Sequence, residues 1–179
     1  MALFTREEAK RQLDIKPDNT RLDDELQMWA DAAQEAVEKA KGEWVVQRDA
    51  TVEAIASPGS PVILPYIPVV SLTSVASVDG STTWDVDDLH ASTTSGELFT
   101  LRGNALKGRL LITYRAGYAA PPAAYKPAGL IILQHLWETR RGTQGVSRGG
   151  DDEVYIPQLG YAIPRRAHEL LGLGLPGVA

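Results

Sequence analysis

The chain contains no cysteine among its 179 residues. This absence excludes disulfide frameworks, thiolate catalysis and zinc sites built on thiolates, and it leaves the redox compartment open. The chain also lacks a long apolar run: residues 54–78, the longest stretch without charge, contain four prolines. A membrane-spanning helix needs about 20 mostly apolar residues and tolerates such breaks poorly. Because the N-terminal residues become charged at once, we also expect no signal peptide, and we predict a soluble protein.

The charge is distributed unevenly along a sequence of otherwise ordinary composition, with 44% apolar and 23% charged residues. Residues 1–101 have a net charge of −10, whereas residues 102–148 have a net charge of +7. Such a division suits complementary surfaces between copies or toward a partner, although two separate solvated faces would give the same pattern. As a candidate inter-subunit basic face we select Arg102, Lys107 and Arg109.

Helical patterns lie at the two ends of the first 141 residues. Thr5 and Glu8 have capping-box spacing, which predicts a short helix over residues 6–13. A longer helix is predicted over residues 20–41, where one stripe of apolar side chains recurs at intervals of three and four. A third helix, from residue 125 or 126 to 141, is apolar around most of its circumference, so we expect it to be the most buried. The stripe of the second helix consists of Leu22, Leu26, Trp29, Ala33, Ala36 and Ala40.

Between these helices the period changes to that of short antiparallel strands. Six short runs rich in β-branched and aromatic residues are separated by turn pairs, and Asp79-Gly80 is a good hairpin turn. The fold class is therefore predicted to be α+β: a small bundle of two N-terminal helices and a long central helix, with an inserted antiparallel β lobe and an extended C-terminal arm. The predicted parts are 1–43 (N-terminal helices), 44–118 (β lobe), 119–142 (long helix) and 143–179 (flexible connector and arm). The predicted strands are 51–56, 62–66, 69–78, 83–86, 97–101 and 109–114.

One short motif matches a catalytic pattern. Gly145-Val-Ser147-Arg-Gly149 has the spacing of a nucleophile elbow, and Asp151 and His168 follow in the order of a hydrolase triad. That chemistry requires the serine on a strained turn between a strand and a helix, whereas here a helix ends before the motif and none begins directly after it. We therefore interpret the match as coincidental, with a small serine hydrolase kept as a weaker alternative.

Two loops and the histidines give no cofactor or metal site. The loop 103–110 has two glycines but lacks the Lys-Ser/Thr ending of a phosphate loop and leads into a strand. Residues 85–88 resemble the start of a calcium loop, but Leu89 occupies the third ligand position. His90 and His135 are isolated. We expect no enzyme, no cofactor and no metal.

Several segments together resemble the head–tail connector, or adaptor, family of tailed bacteriophages. The most characteristic is Tyr114-Arg-Ala-Gly-Tyr118, followed by Pro121-Pro122 and the long helix. Residues 5–15 and 23–38 are similar to the first two helices of that family, and residues 64–75 to its proline-bearing strand. Residues 160–171 are similar to C-terminal segments of related adaptors, whereas residues 76–108 match nothing in particular.

The resemblance implies a structural protein of the virion, assembled in the host cytoplasm. The family forms a ring of about twelve copies beneath the portal protein, extends the DNA channel and offers a platform to the next neck or tail protein. A stopper or tail-completion protein is an alternative, and a basic nucleic-acid-binding module is a weaker one. Because DNA must pass without sequence-specific contact or retention, we predict an acidic channel wall. The candidate lumen residues are Asp23, Asp24, Asp31, Glu35 and Glu38.

The C-terminal segment is predicted to dock on the portal. Residues 154–179 follow a Gly/Ser/Asp connector and carry apolar anchors that a free tail would leave in water. The alternative is that this segment packs on its own subunit and caps the long helix. The candidate docking residues are Tyr155, Ile156, Leu159, Tyr161, Ile163, Arg165, Arg166, Leu170 and Leu171.

Overall fold

The computed structural model describes residues 2–139 and 163–173. It contains both helices and antiparallel sheets, so the predicted α+β class is confirmed. The chain divides into two compact units. Among the described residues, a helical unit comprises residues 2–41, 122–139 and 163–173, and a β unit comprises residues 42–121. The docking candidates Tyr155, Ile156, Leu159 and Tyr161 lie outside the described residues.

Among the described residues the helical unit contains four helices, and the first and third begin where the sequence predicts. The capping box of the first is confirmed: the Thr5 hydroxyl accepts from the Glu8 N–H, and the Glu8 carboxylate accepts from the Thr5 N–H. The second helix begins later than predicted, because the Asp23 N–H closes a turn onto the Thr20 carbonyl before the helix starts. Within the described part of the chain, no helix combines the length and apolarity needed to cross a membrane. The helices are α1 (Arg6–Gln12), α2 (Asp23–Lys41), α3 (Tyr125–Thr139) and α4 (Arg165–Leu170).

Small residues allow close packing within the helical unit. Helix α2 packs against α3, and Ala33 on α2 and Ala128 on α3 are fully buried. On α3, a Cβ at Gly129 would lie 2.9 Å from Leu3 Cδ2 and 3.0 Å from Phe4 Cε1. Gly129 therefore makes room for the N-terminal segment, whose Leu3 and Phe4 are buried.

The β unit contains two antiparallel sheets. The first has the strand order β1-β7-β3-β4 and the second has the order β2-β6-β5. The Asp79-Gly80 turn is confirmed: it joins β3 to β4, and Gly80 has a φ of 71°. Hydrogen bonds from Ser77 and Ser81 lower the pKa of Asp79 to about 2. The strands are β1 (Arg48–Ala56), β2 (Val62–Ile63), β3 (Val69–Ser77), β4 (Thr83–Trp84), β5 (Leu89–Ala91), β6 (Glu97–Thr100) and β7 (Gly108–Ala116).

Both sheets bury one face in a single core cluster. In β7, Leu110, Ile112 and Tyr114 are fully buried, whereas the alternate residues Arg109 and Leu111 are exposed. This alternation follows the two-residue period of a strand. The second sheet contributes buried side chains to the same cluster, among them Val62, Leu89 and Leu98. The outer faces of both sheets therefore point away from this shared core.

Candidate interaction surfaces

The Tyr114–Tyr118 segment, at the end of β7, is bound to other parts of the β unit. The Tyr114 hydroxyl accepts a hydrogen bond of 3.0 Å from the Tyr66 N–H, and burial raises the pKa of this tyrosine. The Gly117 N–H donates to the Pro68 carbonyl at 2.9 Å. Gly117 has a φ of 100°, and a Cβ there would lie 2.2 Å from the Val46 carbonyl oxygen. The segment thus holds three parts of the β unit together.

Three of the five candidate lumen carboxylates lie on one exposed stripe of α2. Asp24, Asp31 and Glu35 are exposed and follow one another at intervals of seven and four residues, which places them on one helix face. We call these three residues the acidic stripe. The structure does not bring Glu38 to this stripe, because its side chain is buried and its carboxylate accepts a hydrogen bond from the Gln34 amide.

The fifth carboxylate, Asp23, is held by cations of α1. Lys10 is only 5% exposed, and its Nζ lies 2.6 Å from Asp23 Oδ1. The same ammonium group donates to the carbonyls of Pro17 and Asn19. The hydrogen bond from Lys10, helped by the charges of Lys10 and Arg6, holds the pKa of Asp23 below its ordinary value. Asp23 therefore stabilises the start of α2 and is turned away from the acidic stripe.

The candidate basic residues Arg102, Lys107 and Arg109 are all exposed near the connection between β6 and β7. The connection runs from strand to strand, so residues 103–110 have no helix N-terminus with which to bind a phosphate. Arg109 contacts Glu53 at 3.5 Å, and 72% of its side-chain surface remains exposed. Arg109 can therefore reach a further carboxylate.

The described end of the predicted arm is α4, which packs against α3 in the helical unit. Leu171, just after α4, is 2% exposed, and its carbonyl accepts a hydrogen bond from Lys41 Nζ at 3.2 Å. Arg165 is exposed and pairs with Glu169 within the same helix at 3.2 Å. Of the other docking candidates in this part of the chain, Ile163 is half-buried, whereas Arg166 and Leu170 are exposed.

The acidic loop at residues 85–88 has a structural role. Asp85 caps the single 3₁₀ turn Val86–Asp88 by accepting from the Asp87 N–H. Across residues 2–139 and 163–173, no group of three or more His, Asp and Glu side chains could hold a metal ion. Ser147 and Asp151 lie outside the described residues.

Sequence reasoning missed an exposed apolar patch on the outer face of the first sheet. Ile55 is 79% exposed, and Leu111 and Val78 are also exposed. Ile55 lies opposite Arg109 in the β1–β7 register, and the Val78 N–H donates to the Arg109 carbonyl, so the three apolar side chains surround Arg109 at one end of the face. We call Ile55, Val78 and Leu111 the Ile55 patch. The alternation of β7 placed Leu111 on the outer face, but nothing in the sequence placed Ile55 and Val78 beside it.

A second exposed apolar patch lies on the outer face of the other sheet. Phe99 is 40% exposed, and Ile63 and Leu101 are more exposed still. Ile63 lies opposite Glu97 in the β2–β6 register, and Glu97, Phe99 and Leu101 alternate onto the same face. We call Ile63, Phe99 and Leu101 the Phe99 patch. Beside it is a concavity of about 430 Å³, lined by Gly59, Ser60, Pro61, Glu97, Phe99, Thr100, Ala105 and Leu106.

Comparison with known proteins identifies a family and a shared fold. A family model described as head completion protein matches residues 2–173, which confirms the resemblance to head–tail connector and completion proteins. A chain from the neck of an empty gene transfer agent particle, computed with C6 symmetry, matches at a TM-score of 0.68 and 18% identity, covering 95% of this chain and 88% of that one. A neck chain of the native particle, computed with C12 symmetry, matches at 0.62 and 18% identity, covering 93% and 85%. A chain of the native gene transfer agent virion matches at 0.65 and 18% identity, covering 95% and 88%. No curated protein sequence matches this chain.

Proposed function

We propose, from the premise that this chain belongs to the head completion protein family, that it is the head-to-tail adaptor in the neck of a tailed phage or a related particle. In this role about twelve copies form a ring beneath the portal, extend the DNA channel and provide the platform for the next neck or tail protein. The observation that carries the proposal is the family match over residues 2–173, which spans both units. The function is structural and involves no catalytic step.

The ring is supported by the symmetry of the neck structures that share this fold. Those necks were computed with C6 and C12 symmetry. A closed ring of identical copies joins one surface of each subunit to a different surface of the next. The β unit has two different exposed apolar patches, and acidic and basic residues are concentrated in different parts of the sequence. Both features suit a contact between unlike surfaces.

The channel wall is assigned to the acidic stripe. Asp24, Asp31 and Glu35 place three negative charges along one exposed face of α2, and Lys39 follows one turn later. Phosphates are repelled by such a wall, whereas lysines and arginines would bind them with release of counterions and hold the DNA. Passing DNA would therefore make no lasting contact there.

Docking on the portal is assigned to the segment between α3 and α4. Its apolar residues Tyr155, Ile156, Leu159 and Tyr161 are flanked by Arg165 and Arg166, whose guanidinium groups suit portal carboxylates. Because Leu171 is buried in the helical unit, its role in docking would be to fix the end of this segment.

Deletion of the gene for this protein tests the proposed function in the particles that normally contain it. We expect heads that package DNA but carry no tails, because the platform for the next neck protein is missing. Electron microscopy and a measurement of packaged DNA would show this, with supply of the protein from a plasmid as the control. Normal tailed particles without the protein would contradict the proposal.

The position within the neck needs a separate measurement. Purified protein mixed with portal rings should co-sediment with them, and native mass spectrometry should give a fixed ratio of copies. A protein that ignores the portal and joins only a preformed portal–adaptor complex would instead be a stopper or tail-completion protein.

A further inference from the structure

We propose that the β unit makes the contact between neighbouring copies in the ring, with the Ile55 patch of one copy seated on the Phe99 patch of the next. This inference rests on the proposed function, because it assigns the surfaces that a ring of identical subunits would use. Monomeric proteins seldom leave several large apolar side chains exposed together unless a partner covers them. Both patches belong to the β unit, and each consists of three exposed apolar residues on the outer face of its own sheet.

The shapes of the two surfaces favour an unlike pairing. Ile55 is the most exposed member of its patch, at 79%, and projects from the end of β1. The Phe99 patch adjoins a concavity of about 430 Å³ whose lining includes Pro61 and Leu106. A projecting isoleucine on one copy and a concavity with apolar side chains in its lining on another are complementary, whereas two copies of the Ile55 patch are not.

The charges of the two surfaces are also complementary. Arg109 lies opposite Ile55 beside the Ile55 patch, and Glu97 lies opposite Ile63 beside the Phe99 patch. Arg109 has one contact of 3.5 Å with Glu53 and is otherwise exposed, so it can pair with Glu97 of the next copy. Two copies of the Phe99 patch would oppose glutamate to glutamate, whereas Arg109 offers Glu97 a partner of opposite charge.

The absence of cysteine from the chain permits a direct test. Particles are assembled with the double variant Ile55→Cys/Phe99→Cys and treated with a short bis-maleimide, which within this chain reacts only with the introduced thiols. The expected result is a ladder of dimers, trimers and higher species on a denaturing gel, since each copy contributes one thiol to each of two contacts. Each single-cysteine variant should remain monomeric, and an equal mixture of the two should stop at dimers.

A charge exchange provides a second test. Arg109→Glu and Glu97→Arg should each lower the amount of protein in purified particles at least about tenfold, because each opposes like charges across the contact. The double exchange should restore incorporation. Lys39→Glu, an equal charge reversal on α2 where the side chain is exposed, is the control and should incorporate normally.

The outcomes separate this inference from the function on which it rests. If the protein is incorporated and functional but gives no ladder, or if a single-cysteine variant forms dimers, the interface is wrong and the adaptor role stands. Failure of the double charge exchange to restore incorporation would also overturn the interface. Absence of the wild-type protein from particles would overturn both.

Discussion

At the scale of single residues, Gly117 shows why the Tyr114–Tyr118 segment is restricted. A side chain there meets two obstacles, a φ of 100° and a Cβ position 2.2 Å from the Val46 carbonyl oxygen. Gly117→Ala should therefore lower the free energy of unfolding by about 3 kcal/mol or more. The matched control is Gly80→Ala, which has a φ of 71° but nothing within 4 Å of the Cβ, and should cost about 1–2 kcal/mol. Urea denaturation would measure both, and equal losses would show that the close approach to Val46 is unimportant.

The pairing of Asp23 with buried Lys10 predicts a dependence of stability on pH. The folded pKa of Asp23 lies below its ordinary value of 3.8, so the unfolded state binds a proton more readily. The contribution of Asp23 is therefore complete above the unfolded pKa and is lost as the pH falls through the folded pKa. Asp23→Asn should reduce stability at about pH 7 and flatten its decline below about pH 4. Urea midpoints across this range would test the effect, with Asp24→Asn as the exposed control; parallel profiles for Asp23→Asn and the wild type would contradict it.

At the scale of elements, local signals predicted the helices better than the small strands. The capping box fixed the start of α1, because its hydrogen bonds join residues only three apart. Strand β5 was missed because it has three residues and follows a 3₁₀ turn, which leaves no period to detect. The Ile55 patch was missed for a different reason: Ile55, Val78 and Leu111 are distant in sequence, and only the strand register brings them together.

The acidic face of α2 was predicted in part. Helical period selected Asp24, Asp31 and Glu35 correctly as exposed neighbours, but it gave no sign that Asp23 and Glu38 have partners. Asp23 is held by α1, and the buried Glu38 accepts from Gln34 on its own helix. The sequence shows which side chains are charged, whereas packing decides which of them face solvent.

The acidic stripe makes a prediction about DNA passage. Replacing Asp24, Asp31 and Glu35 together with lysine should leave the fold intact, because all three are exposed, but should retain DNA in the channel. We expect particles that assemble normally but eject their DNA slowly or incompletely. The amount of DNA released from purified particles over time would measure this. The triple Asn/Gln variant, which removes charge without reversing it, should behave much more like the wild type. If the lysine variant ejects DNA as the wild type does, the acidic stripe does not line the channel wall.

At the scale of the whole molecule, the described chain that follows the β unit belongs to the helical unit. Helix α3 begins just beyond residue 122, and α4 then packs against α3. Residues 140–162 therefore lie, along the chain, between two helices that pack on each other. A docking segment bounded in this way loses less conformational entropy on binding than a free tail of the same length.

Substitutions can separate the two proposed roles of the C-terminal region, which are stability of the helical unit and docking on the portal. Leu171→Ala should lower the free energy of unfolding by about 2–5 kcal/mol, because Leu171 is 2% exposed within the helical unit. Replacing Tyr155, Ile156 and Leu159 with serine should leave the melting temperature unchanged and abolish co-sedimentation with the portal. Deleting everything after Gly160 should impair both properties, since it removes α4 and Leu171 together with Tyr161. If the serine variant binds the portal normally, the docking element lies elsewhere in the chain; if it melts early, the segment belongs to the core of the helical unit.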